Sequence, residues 1–159
     1  MQIKPIDIKY APLILRSAHA FQFMLFLLPV LMMFYQYKGL SIGDFFLIQG
    51  IFSIFVIFLE IPTGYIGDMF CRKKVLVFSM LFFLLGHVVW LFFSGFIFVL
   101  LGEFLMAISM ALFSGTAEAY LHDALERQNK EKEILKEIGY LETFTTLGTA
   151  MATLVGGFM

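Results

Sequence analysis

The chain has 159 residues, 60% of them hydrophobic and only 14% charged, with a net charge of −1. A soluble domain is about half apolar and about a quarter charged, so a mean hydropathy of +0.90 excludes a single water-solvated core and makes lipid the solvent for most of the chain. The near-neutral balance excludes a nucleic-acid partner, which requires clustered basic charge, and a single cysteine, Cys71, excludes a disulfide framework or a thiolate metal site.

Lys4, Lys9 and Arg16 stand before or at the start of the first long apolar run. That run is too long for a removable signal peptide and lacks a small-residue cleavage site. It reads as a signal-anchor helix with a cytoplasmic N-terminus. The first span is expected over 13–37, with Pro29 inside it; a membrane bundle accommodates such a proline because neighbouring helices satisfy the freed carbonyl. His19 and Gln22 share a face near the cytoplasmic end, where solvation accounts for them. Ser41 is placed to cap the second span, expected over 42–63. Along that span Gln49, Ser53 and Glu60 fall on one face. A carboxylate facing lipid is costly, so the face is expected to point into a bundle. Pro62 is expected to end or bend the helix.

Residues 60–74, EIPTGYIGDMFCRKK, then read as a tight, charged, glycine-bearing hinge between two spans. The third span is expected over 75–93, with His87 and Trp90 as its polar or amphipathic features. After the short turn of Ser94 and Gly95 comes the fourth span, over 96–119. There Glu103, Ala107, Met110, Ser114 and Glu118 follow one another at helical spacing, with small residues that allow close helix contact. Glu103 is the sharpest residue of the chain. A carboxyl inside a span must be protonated, paired with a cation or open to water. It is a candidate proton or substrate-cation site, with a wet position near the outer interface as the plainer account. His87 is a candidate proton relay, although a lone histidine among apolar residues more often serves structure.

The stretch HDALERQNKEKEILKEIG, residues 122–139, looks soluble, and residues 120–138 are expected as a cytoplasmic loop that folds as a solvated surface helix. The last span is expected over 139–159. Gly148, Ala152 and Gly156 give it a small-residue face that needs a partner helix, with Thr145, Thr149 and Thr153 beside it. Lysine and arginine fix the sidedness. Lys4, Lys9, Arg16, Arg72, Lys73, Lys74, Arg127, Lys130, Lys132 and Lys136 fall on one side and Lys38 alone on the other. The fold class is therefore all-α and transmembrane, with about five spans and the N-terminus in the cytoplasm.

At the hinge, Gly64, Asp68, Arg72 and Lys73 stand in the register of a known signature: glycine, three residues, aspartate, then a basic run. Here the chain resembles the major facilitator superfamily, whose members carry this signature between their second and third helices. Cys71 replaces the second glycine of the pattern. The EIPTG stretch ending at Gly64 and the SGTAEA stretch from Ser114 to Ala119 are similar to one bacterial branch of that family. The resemblance implies a twelve-helix transporter of two six-helix halves working by alternating access, the architecture of this family. The chain would then be a fragment holding helices 1 to 5, and its missing C-terminal half would be a partner.

The resemblance also implies roles. Gly64, Asp68, Arg72 and Lys73 form the conformational gate, with Asp68 latching against the other half. Asp123, then Glu118, are the candidate latch partners of Arg72. Glu103, Gln49, Glu60 and His87 are the candidate substrate or proton site. The implied function is secondary active transport of an unidentified small molecule, coupled to protons, with efflux as the expected direction. It needs no cofactor, metal or enzymatic step, and belongs to a multi-pass protein of the cell (inner) membrane, in contact with the lipid bilayer. A five-span membrane scaffold without transport activity is the alternative. An intramembrane aspartyl protease is set aside: Tyr65 replaces the first glycine of its motif, and no second aspartate lies within the membrane for a shared-proton dyad.

Overall fold

A computed structural model describes residues 10–23 and 28–158, with the side chains of residues 21–23, 28, 66 and 68 outside that description. All regular structure among the described residues is helical. Six α-helices appear in chain order: α1 (Ala11–Phe23), α2 (Leu31–Tyr37), α3 (Ile42–Met69), α4 (Arg72–Phe92), α5 (Phe96–Glu126) and α6 (Ile134–Gly157). Single 3-10 turns at Leu28–Val30 and Glu131–Glu133 precede α2 and α6. Three segments are long and apolar enough to cross a membrane: Ile42–Tyr65, Arg72–Phe92 and Phe96–Glu126. The first expected span includes residues outside the description. Thr143, Thr145, Thr146, Thr149 and Thr153, with four glycines, dilute the apolar character of α6, which is not among the three.

The chain divides into two compact units, Val30–Thr116 and Met1–Pro29 with Ala117–Met159. Within Val30–Thr116, α2 ends at Gly39, whose φ of +82° lets the amide of Leu40 reach back to the Tyr35 carbonyl (3.0 Å) and that of Gly39 to Gln36 (2.9 Å). This paired closure satisfies carbonyls that the helix end would orphan, and a glycine adopts it without strain. Ser41 caps α3 as expected. Its hydroxyl accepts from the Asp44 amide (3.1 Å) while its own amide donates to the Asp44 carboxylate (2.9 Å), a reciprocal capping box.

Pro62 does not end α3, which continues through it to Met69. The Thr63 hydroxyl donates to the Leu59 carbonyl (2.6 Å), and the Ala111 carbonyl of α5 is within its reach at 3.2 Å. A proline costs one backbone bond, and a close neighbouring helix holds the geometry through the gap. The expected hinge is thus mostly helix, and only Phe70 and Cys71 separate α3 from α4. The turn at Ser94 and Gly95 is tied to the loop after α2, where the Gly95 amide donates to the Lys38 carbonyl (3.1 Å). The buried Lys38 ammonium caps the end of α4 through the Leu91 carbonyl (3.2 Å).

In the other unit, α1 packs along α6. Ala11 and Leu15 of α1 and Leu141, Ala152 and Gly156 of α6 are buried, and Gly148 is half-buried. The soluble-looking stretch is not a loop in its first part. The helix α5 extends seven residues past Ala119 to Glu126, because Tyr120, Leu121, Ala124 and Leu125 are buried at helical spacing beside exposed charges. Asn129, with φ of 55°, then closes the helix: the Lys130 amide returns to Leu125 (2.9 Å) and that of Asn129 to Glu126 (2.9 Å).

Candidate functional site

Three helices of the Val30–Thr116 unit bring one polar cluster together. Tyr35 comes from α2, Gln49 from α3 and Glu103 from α5. Glu103 is 4% exposed and Tyr35 fully buried. The Tyr35 hydroxyl donates to Glu103 Oε1. Gln49 Nε2 donates to the same oxygen at 3.0 Å and lies 3.3 Å from the Tyr35 oxygen. Both partners are neutral donors. Among the described residues no cation pairs with this carboxyl, which is held by two hydrogen bonds rather than by an ion pair.

The walls of the cluster are aromatic. Trp90 of α4 stands edge-on to Tyr35 with centroids 5.7 Å apart, Phe45 likewise at 5.4 Å, and Phe34 tilts against Trp90 at 5.5 Å. Such pairs bury area and fix ring orientation together. The indole N–H of Trp90 donates to the Val99 carbonyl at 3.3 Å. Gly102 makes room for that ring, since a Cβ there would lie 2.4 Å from Trp90 Cδ1. Gly86 and Gly102 let the α4 and α5 backbones approach, as a Cβ on Gly86 would meet the Gly102 oxygen at 3.0 Å. The glycine pair therefore places Trp90, and Trp90 confines Tyr35.

The structure thus joins Glu103 and Gln49, but not every residue singled out from the sequence. His87 has its Nδ1 2.9 Å from the Phe83 carbonyl of its own helix and meets the cluster only through its ring, 5.8 Å from Trp90. Glu60 is exposed on α3, as is Ser53, whose hydroxyl donates to the Gln49 carbonyl (3.0 Å). The expected polar stripe leaves the interior after Gln49, because the fully buried residue there is Ile48, one position round the helix from the stripe. The stripe on α5 diverges too. Glu103, Ala107 and Ala111 are buried at successive fourth positions, whereas Met110, Ser114 and Glu118 are turned outward. A shift from a four-residue to a three-residue step moved the expected stripe off the buried face.

The signature residues sit at the junction of α3 and α4. Gly64 is half-buried and Gly67 buried in α3; the Asp68 side chain lies outside the described residues. Arg72 opens α4 and is half-buried, and Lys73 is exposed. In the second unit, Asp123 is half-buried and Glu118 exposed, both on the last turns of α5. Gln22 has its side chain outside the described residues. His19 has its Nδ1 3.2 Å from the Thr145 hydroxyl of α6, so it is a packed residue rather than a merely solvated one.

Two features escaped the sequence reading. Tyr35 looked like one aromatic among many, and only its register against Gln49 could have marked it. Arg16 of α1 and Glu137 of α6 form an ion pair, with side chains 20% and 12% exposed, and the guanidinium lies 4.4 Å over the Tyr140 ring. The available signal was the spacing of Glu137 from Leu141 and Thr145, which puts an acid on the packed face.

The family model for the Major Facilitator Superfamily matches residues 13–159. An uncharacterized transporter of Buchnera aphidicola (subspecies Acyrthosiphon pisum) is 28% identical over 95 residues, which is 58% of this chain and 24% of that protein. The match thus spans about a quarter of the relative's length. No solved structure matches the chain.

Proposed function

The chain belongs to the Major Facilitator Superfamily, a multi-pass membrane transporter family rather than an enzyme family, and on that premise we propose that it forms part of a proton-coupled secondary transporter. The coupling group is Glu103. The observation that carries this reading is a buried carboxyl held by two neutral donors, Tyr35 and Gln49, among aromatic rings. A carboxyl in such a place gains or loses a proton only when its donors rearrange or water enters. That is the property a coupling site needs. Gln49 is the donor free to rearrange, being half-buried on a helix separate from both Tyr35 and Glu103. His87 is a relay candidate through Trp90, and Glu60 a candidate for the substrate path. The substrate is a small molecule, and outward movement is the direction favoured by family habit.

The junction of α3 and α4 is the gate in this reading, with Gly64, Asp68, Arg72 and Lys73 as its residues. Asp123, and Glu118 after it, are the acidic candidates for pairing with Arg72. A charge stranded by breaking such a pair is costly, which makes the pair a two-state latch. The EIPTG and SGTAEA stretches are read as marks of one bacterial branch of the family.

The test uses the intact transporter in proteoliposomes containing a pH-sensitive dye. Small molecules are added one by one, and those that move protons across the bilayer are retained. Glu103→Gln should abolish the dye response to each while leaving its binding measurable. Proton-coupled flux that survives Glu103→Gln would overturn the assignment.

A further inference from the structure

The two stretches that the sequence could relate only to a branch of the family touch each other. Thr63 reaches the Ala111 carbonyl of α5 at 3.2 Å. One turn on, a Cβ placed on Gly115 would stand 3.8 Å from Gly64 Cα, an ordinary contact. At the end of this crossing a Cβ on Gly67 would stand only 2.9 Å from Thr116 Oγ1, yet 3.8 Å from Thr116 Cβ. The whole obstruction at Gly67 is therefore one hydroxyl oxygen.

That oxygen is unusual. Thr63, Thr143, Thr145 and Thr146 each donate to a carbonyl of their own helix, the normal recourse of a helical threonine. Thr116 is 1% exposed, and its hydroxyl has no hydrogen-bond partner among the described residues. A buried hydroxyl without a partner costs stability, so it contributes here through its shape. A β-branched side chain is stiff in a helix, which suits it to hold a distance.

We propose that Thr116 is a positioning residue for the gate: its hydroxyl abuts Gly67 and sets where the last turn of α3 lies, and with it the backbone of Asp68. This rests on the reading of Asp68 as a gate residue. The gate is carried on helix up to Met69, so a contact on that last turn governs it more directly than any loop property could.

The contact predicts a cycle of variants. Gly67→Ala collides with Thr116 Oγ1, Thr116→Ala removes an atom that bonds to nothing, and the double variant leaves only the 3.8 Å contact. The readout is trypsin cleavage at Arg72, Lys73 and Lys74 in the purified, detergent-solubilised protein, taken relative to cleavage at Arg127 and Lys130. Cleavage follows the population in which the junction is open. Gly67→Ala should raise the ratio about tenfold, the change that about 1.4 kcal/mol of overpacking produces. Thr116→Ala takes away the atom that sets the turn and should raise the ratio by a smaller factor, and the double variant, whose new methyl meets residue 116 at about the 3.8 Å of ordinary contact, should return to the parent ratio. If Gly67→Ala fails to accumulate, recovery of the double variant supports the contact and its failure overturns it. Parent-like cleavage of Gly67→Ala or of Thr116→Ala, or a double variant that keeps the raised ratio, also overturns it. Asp68→Asn in the intact transporter separates the two ideas: undiminished flux there, with the cycle behaving as described, removes the gate and leaves the contact standing.

Discussion

Replacing Glu137 by Gln tests how the unit built from α1 and α6 is held together. The substitution keeps the size of the side chain and removes its charge, stranding the Arg16 guanidinium. Breaking a buried pair from one side costs about 3–5 kcal/mol. The side chains are 20% and 12% exposed, so some water reaches the stranded charge and the lower end of that range applies, about 3 kcal/mol. Arg16 Nε is buried without an acceptor in the parent already, so it does not enter the difference. The stack on Tyr140 survives in this variant and retains about 0.5–1 kcal/mol. A cycle with Arg16→Met and Glu137→Met separates charge from packing, because an apolar pair of similar volume is often as stable as the ion pair it replaces. Both single variants should be destabilised by about 3 kcal/mol and the double by about 1 kcal/mol or less. The assay is unfolding in mixed detergent micelles of rising dodecyl sulfate content, followed by far-ultraviolet circular dichroism. A loss under about 0.5 kcal/mol for Glu137→Gln, the size of an exposed pair, or a double variant equal to the sum of the singles, would refute the reasoning.

Other perturbations follow from the same geometry. Gly102→Ala drives a methyl against the Trp90 ring, with 2.4 Å where contact distance is needed; it should cost about 1–3 kcal/mol and shift the emission of Trp90, the only tryptophan of the chain. Tyr35→Phe leaves the ring contacts in place and removes one donor to Glu103; a loss of about 1–2 kcal/mol in the same micelle titration is expected, with Gln49→Leu additive only in part because both serve one oxygen. Ser41→Ala opens the capping box at the start of α3 and should cost about 1 kcal/mol, visible as faster amide exchange confined to the first turn of that helix.

The sequence carried the helical architecture because apolar length and charge placement are one-dimensional properties. Ile42–Tyr65, Arg72–Phe92 and Phe96–Glu126 could be read from where lipid would be the better solvent. Ser41 was legible because a cap is a local contact of four residues. Pro62 misled because its local effect is to break a helix, and what holds α3 together there, the approach of Ala111 to Thr63, lies 48 residues away. Glu103 and Gln49 stood out by polarity alone, whereas Tyr35 is amphipathic and hides among the 21 phenylalanines and six tyrosines. Glu137 was invisible for the opposite reason: it stands among exposed charges of both signs, and only helix packing distinguishes the buried one.

The unbroken run of α3 has a mechanical consequence. Its 28 residues give a rod about 42 Å long, against a hydrocarbon layer about 30 Å thick. Such a rod behaves as a seesaw. Rocking by about 10° around its middle would carry the Met69 end about 4 Å one way and the Ile42 end as far the other. Gln49, about 10 Å from the middle, would travel about 1.7 Å, enough to part its 3.0 Å bond to Glu103. One tilt would thus disturb the carboxyl and the far end of the helix in a single stroke, with no slack segment between them to absorb it.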